Sequence, residues 1–296
     1  MTDAGRDHAG DRGSPDHAAR APVLWRRFSR TRTGAIFGGL LLVIVTVTIL
    51  APLLSPHNPV RQYLDHALEP PSARFPLGTD DLGRDLLSRL LHGGRITLLA
   101  AFVSVGVATA LGLPVGMISG VLGGRSDIWI MHAVNALLSF PSVLLAFAIS
   151  ALIGPSLTVV VLAISIVFAP RMARFARGQT LVVRETPFVE AARAAGASQR
   201  RVIFRHILPN IAAPVFVEAS LGVGYAALIE ASISFLGAGI QPPRSSWGLM
   251  IKEGFGYMDS APWVAIVPGA AILLLTLSVN MLGDAMRDVF DPRVRL

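Results

Sequence analysis

Apolar runs dominate this chain, and short polar or basic stretches punctuate them. Six runs come near the roughly 20 residues that a helix needs to cross a hydrocarbon core. They cover about 34–54, 96–120, 128–153, 157–173, 213–240 and 263–282. The pattern predicts an all-α, polytopic membrane protein with six transmembrane helices. Residues 1–25 are rich in Gly, Asp, Arg and His and poor in large apolar groups, which reads as a disordered tail. The run after the tail is too long for a signal peptide and lacks a small-residue cleavage site, so it reads as an uncleaved anchor.

Composition agrees with the pattern. Of 296 residues 52% are hydrophobic and only 15% charged, against roughly 25% charged in soluble domains. A soluble enzyme with a charged surface is excluded. The chain has no cysteine, so disulfides and thiolate metal sites are excluded too, and no other metal site is expected.

Charge placement sets an orientation. The 26 basic residues are 25 arginines and one lysine, Lys252. Nineteen fall before the first run, between the second and third, between the fourth and fifth, or after the sixth; seven fall in the other loops. Basic loops face the cytoplasm. Both termini and the loop at about 179–210 are therefore expected on the cytoplasmic side. Each basic cluster abuts a span, which argues against nucleic acid as the partner and for membrane lipid.

Polar and small residues inside the runs suggest further structure. Ser104, Ala108, Gly112, Gly116 and Gly120 recur every fourth position, a face that lets another helix approach closely. His132, Asn135, Ser139 and Ser142 form a polar stripe on the third run. The stripe either lines a translocation pathway or hydrogen-bonds to a neighbouring helix. Glu218 and Glu230 lie on the fifth run and do not share a face. Glu218 is placed to pair with loop arginines. Glu230 lies deeper and needs a partner; it is a candidate pathway residue, with a structural hydrogen-bonding role as the alternative. Residues 82–92 read as a separate amphipathic helix at the interface, capped by Asp80 or Asp81 and ended by Gly93–Gly94.

The cytoplasmic loop reads QTLVVRETPFVEAARAAGASQRRVIFRHILPN over 179–210. Thr186 as a capping oxygen and Pro187 at the first helical position start a short helix, and Gly196 ends it. Ser198 caps a second short helix, which Pro209 is expected to stop. Two short helices ringed by arginine suit docking into a groove on another protein.

Glu190-Ala191-Ala192, three residues, Gly196, then Ile207-Leu208-Pro209 resembles the EAA loop of bacterial ABC importer permeases. The family's isoleucine usually stands one place earlier, where this chain has His206. Phe75–Arg95, Glu230–Ile251 and Asp284–Arg295 resemble the second permease of dipeptide, oligopeptide and nickel importers. The resemblance covers about 26–296 and makes that stretch one permease domain of the type I importer fold in the bacterial inner membrane. It implies that Thr186, Pro187, Glu190, Ala191, Ala192, Gly196, Ile207, Leu208 and Pro209 couple the chain to an ATP-binding subunit. It also implies a homologous permease, two ATP-binding subunits, an extracytoplasmic substrate-binding protein and transport by alternating access. For the substrate the resemblance implies a di- or oligopeptide, or alternatively nickel or another small solute.

A nucleotide-binding loop needs G-x-x-x-x-G-K-[ST]. The lone lysine sits between Ile251 and Glu253, outside any such motif. No cofactor is therefore expected on this chain, and ATP and Mg belong to the partner subunits. A secondary transporter would show paired intramembrane ionisable groups and internal repeats; Glu230 stands alone, and no repeat is apparent. An intramembrane enzyme would need a nucleophile beside a base. His132 and Ser139 are two helical turns apart, and no H-E-x-x-H motif occurs.

Overall fold

The computed structural model describes residues 32–290, with side chains from 33 to 287. The expected tail at 1–25 lies outside them. The described chain is a helical bundle. Helix α1 (Arg32–Ile49) is followed by one turn, α2 (Ala51–Leu54), and α3 spans Leu86–Leu122. Helices α4 (Gly124–Leu138), α5 (Ser142–Ile153) and α6 (Leu157–Arg184) follow. Next come α7 (Pro187–Ala194) and α8 (Gln199–Arg201), which continues through a π-helical segment (Val202–Ile207) into α9 (Leu208–Phe235). Helices α10 (Trp247–Phe255) and α11 (Trp263–Phe290) complete it.

Four helices are long and apolar enough to cross a membrane: α3, α6, the continuous α8–α9 stretch, and α11. Helices α4 and α5 become a fifth if counted together across their 81° bend. The apolar part of α1, Thr33–Ile49, falls below that length. The expected six spans thus correspond to four full helices, one bent pair and one shorter helix. Large apolar side chains remain on the bundle surface, with Phe216 61% and Leu273 65% exposed. A soluble fold avoids such a contiguous apolar coat, whereas lipid rewards it.

Close packing of α3 on α6 organises the bundle. A Cβ added to Gly112 would lie 2.4 Å from the Ala169 carbonyl oxygen, and one on Gly116 would lie 2.2 Å from that of Ala173. At Gly120 it would meet Thr180 Cγ2 at 2.8 Å. Residue numbers rise together along both helices, so the two run parallel. The chain from Leu122 to Leu157 must then travel back along α3 to about the level of Ser104, which bonds the Val161 carbonyl near the start of α6. Helices α4 and α5 make that return, and their bend has a local cause. Pro141 has no N–H to donate, and it disfavours helical backbone at Phe140.

The helix boundaries depart from the pattern at several points. Residues 82–92 are not a separate interfacial helix: residues 79–85 form a loop, and Asp85 caps α3 by accepting from the Ser88 N–H at 3.0 Å. Neither Asp80 nor Asp81 is the cap, and α3 runs straight through Gly93–Gly94. Those glycines admit neighbours instead: a Cβ on Gly94 would lie 2.5 Å from Thr48 Cγ2 and 2.7 Å from the Trp247 ring. At 1.5 Å per residue α3 is about 55 Å long, far more than the roughly 30 Å core. Part of its length therefore extends beyond that core. Helix α6 continues past residue 173 to Arg184. Its arginines are held there: Arg177 grips Asp127 by two bonds of 2.5 Å, and Arg184 donates to the Gly120 carbonyl at 2.7 Å.

Pro209 does not stop a helix. Lacking an N–H, it breaks the α-helical ladder, and the π turns of 202–207 carry the chain across into α9. Thr186 does not cap α7 with its side chain; its hydroxyl donates back to the Val183 carbonyl. The fifth span ends at Phe235, and Leu236–Ile240 form a turn rather than helix.

Candidate functional site

Helix α7 stands at one face of the bundle, here the α7 face. Its end is closed by two backbone bonds, Ala197 N–H to the Ala192 carbonyl (3.0 Å) and Gly196 N–H to the Arg193 carbonyl (2.9 Å). That double closure needs a left-handed residue, and Gly196 supplies it at φ +82°. Ser198 then caps α8, accepting from the Arg201 N–H at 3.4 Å. Val189, Val202 and Ile207 are buried and fasten the segment to the bundle. Pro187, Glu190, Ala191, Gly196 and Pro209 are exposed, while Thr186, Ala192 and Leu208 are half-buried. Phe188 is 46% and Phe204 60% exposed, and the Phe188 ring lies 6.3 Å from that of His206. Arg193, Arg200, Arg201 and Arg205 surround this surface, all exposed. Apolar side chains thus hold the segment from beneath. Above, it presents one carboxylate, small alanines, two aromatics and four guanidiniums.

The polar stripe is divided by the break between α4 and α5. His132, Asn135 and Ser139 are exposed, and Ser142, across the break, is half-buried. Arg174 of α6 donates to Asn135 Oδ1 at 2.5 Å.

Glu230 stands apart from that stripe and is fully buried. Thr97 Oγ1 donates to one carboxylate oxygen at 3.0 Å and Ser234 Oγ to the other at 2.7 Å. Thr97 in turn accepts from the Trp247 N–H at 3.2 Å, and Ser234 from the Ile240 N–H at 3.2 Å. One carboxylate thereby joins α3, α9 and α10. Glu218 is paired with Arg171 (3.1 Å) and Arg287 (3.3 Å), tying α9 to α6 and α11.

The opposite face, here the cap face, holds a charge cluster that the sequence pattern did not separate from an interfacial helix. Arg84 Nε lies 2.6 Å from Asp80, and Arg89 reaches Asp80 at 3.3 Å. Glu253 of α10 receives Arg89 Nη2 at 2.6 Å and Arg84 Nη2 at 3.4 Å. Asp80, Arg84 and Arg89 are buried. Burial pushes the Glu253 carboxyl above its ordinary value, against the pull of the Arg89 and Arg84 guanidiniums. The density of charge in TDDLGRD was the available signal; its partner Glu253, far along the chain, was not visible without the fold.

Comparison with known proteins agrees with this architecture. The model of binding-protein-dependent transport system inner membrane components matches residues 112–296. That of the N-terminal TM domain of oligopeptide transport permease C matches residues 23–71. A di/tripeptide transport system permease of Pseudomonas aeruginosa is 42% identical, covering 92% of this chain and 91% of its own. A probable D,D-dipeptide transport system permease of Escherichia coli is 43% identical over 86% and 85%. A glutathione transport system permease of Pectobacterium atrosepticum is 39% identical over 95% and 94%. An inward-facing structure of the MetNI methionine ABC transporter aligns with TM-score 0.58 at 21% identity, covering 70% of this chain and 98% of that one; it speaks for the fold. Matched along most of its length, the chain belongs to the binding-protein-dependent transport system inner membrane components and is a multi-pass inner-membrane permease subunit of an ABC importer.

Proposed function

We propose that this permease serves an importer of short peptides and that the 186–209 segment docks into an ATP-binding subunit. The peptide reading is supported by the relatives, whose names give di/tripeptide, D,D-dipeptide and glutathione as cargo. The docking reading rests on one observation: Val189 and Ile207 are fully buried beneath α7, while Glu190, Ala191 and the aromatic and basic side chains around them are left uncovered. Helix-in-groove binding needs that division between a fixed underside and a free face.

The α7 face, with Arg125, the eight arginines between 171 and 205 and Arg287 at the helix ends and loops on its side, ten of the described basic residues, is the cytoplasmic one in this reading. Both termini then lie in the cytoplasm, and the segments correspond to six passes, α4 and α5 forming one and α1 another. ATP and Mg belong to two ATP-binding subunits. A second, homologous permease completes the pathway, and an extracytoplasmic binding protein delivers cargo at the cap face. This chain carries no catalytic step. Its part is mechanical. Helix α8 runs without interruption through the π segment into α9, so a displacement of α7 is transmitted to the helix that carries Glu218 and Glu230. The exposed stripe His132, Asn135, Ser139 is the pathway surface in this scheme. Glu230 holds α3, α9 and α10 together.

Two substitutions test the docking reading, Glu190→Arg and Gly196→Asp. Both are expected to abolish uptake of a labelled dipeptide while leaving the amount of chain in the membrane unchanged. Normal uptake in both would sink it. ATP hydrolysis by the purified chain alone would overturn the division of labour.

A further inference from the structure

We infer that the cavity at the cap-face end of α3 receives the carboxylate of a small, partly apolar solute; the inference rests on the peptide reading above. The cavity measures about 540 Å³, within the range of small-molecule sites, roughly 300–1,000 Å³. Arg95, Arg244 and His92 line it together with Ile96, Leu99 and Leu157. The remaining walls are loop residues, Pro59 and Val60 on one side and Pro243 and Ser245 on the other.

Its cations differ from their neighbours. Arg84 and Arg89 on the same face are neutralised by Asp80 and Glu253. Among the described residues no acidic group stands within 4 Å of Arg95 or Arg244, and both are exposed. His92 Nδ1 lies 3.0 Å from the Ser88 carbonyl, which can only accept. Ser55 Oγ lies 3.1 Å from the same nitrogen, so Nδ1 is engaged within the chain. Two guanidiniums beside an apolar wall suit an oxyanion attached to a short aliphatic group, since each fork can grip two oxygens. A peptide C-terminus and a lipid headgroup phosphate share that chemistry. The carboxylate is favoured because loops of the cap face border the cavity, on the side opposite α7, where cargo arrives.

The purified full-length chain in phosphatidylcholine nanodiscs provides the test, with dialanine and dialanine amide as probes read by saturation-transfer NMR. Dialanine is expected to bind the native chain, and the amide at least about tenfold more weakly, a loss in keeping with charge-assisted hydrogen bonds. In Arg95→Gln/Arg244→Gln the dialanine affinity is expected to fall about tenfold to the level of the amide. Arg95→Lys/Arg244→Lys, which keeps the charge, is expected to retain part of the affinity. Equal binding of acid and amide, or unchanged binding in the glutamine variant, overturns the inference. So does phosphatidylglycerol that co-purifies with the native chain and not with the glutamine variant while the probes show no carboxylate dependence; the site then belongs to lipid. Loss of uptake in Glu190→Arg together with equal binding of both probes would remove the cavity reading and leave the importer reading standing. Normal uptake in the coupling variants would remove the latter by a separate readout.

Discussion

Two charge clusters at opposite ends of the bundle are arranged in opposite ways. On the cap face Asp80, Arg84, Arg89 and Glu253 turn toward one another, and three of the four are buried. On the α7 face Glu190, Arg193, Arg200, Arg201 and Arg205 turn outward. A buried pair has surrendered its hydration, so its groups depend on one another. An exposed cluster keeps its hydration and stays available to a partner. The contrast separates charge that holds the chain together from charge that is left exposed, a distinction invisible in a count of arginines.

Substitutions can break or sharpen that contrast. Arg89→Ala should have the largest effect on stability, about 3 kcal/mol, because it leaves buried Asp80 and half-buried Glu253 to share Arg84 as their one remaining cation. A drop in the thermal unfolding temperature in detergent measures it. The joint replacement Arg89→Met/Glu253→Leu should recover much of the loss, since it removes both members of the pair; no recovery would mean that the cluster matters through hydrogen-bond geometry rather than stranded charge. Gly116→Val should cost about 1–3 kcal/mol by forcing α3 from α6, where the added Cβ would meet the Ala173 carbonyl. Ser198→Ala should cost about 1 kcal/mol through loss of the α8 cap. Thr186→Ala should change stability by less than about 0.5 kcal/mol, since its hydroxyl caps nothing. A Thr186 effect equal to that of Ser198 would show that the local geometry around α7 is misread.

Much of the fold was legible in the sequence. The apolar runs located every long helix among the described residues, because a segment in lipid must satisfy its own backbone and carry few charges, a demand written locally in composition. The four-residue spacing of Gly112, Gly116 and Gly120 was legible for the same reason: one helix face is set by periodicity alone. Gly196 could be assigned because a left-handed helix end admits few other residues. Boundaries fared less well. Pro209 and Gly93–Gly94 read locally as stops, yet the helices pass through them, because a π turn absorbs one and the neighbours Thr48 and Trp247 occupy the space beside the other.

By itself the sequence determined the solvent, the helical class and the uneven placement of basic residues, since each depends on residue type and short-range spacing. Only the tertiary structure decided which polar groups are spoken for. Glu230 meets Thr97 from 133 residues away, and Arg89 meets Glu253 across 164. Arg95 and Arg244, identical in type to those paired arginines, are left facing a cavity. Pairing depends on which side chains the packing of α3, α9 and α10 brings within hydrogen-bond reach, and no local pattern encodes that distance.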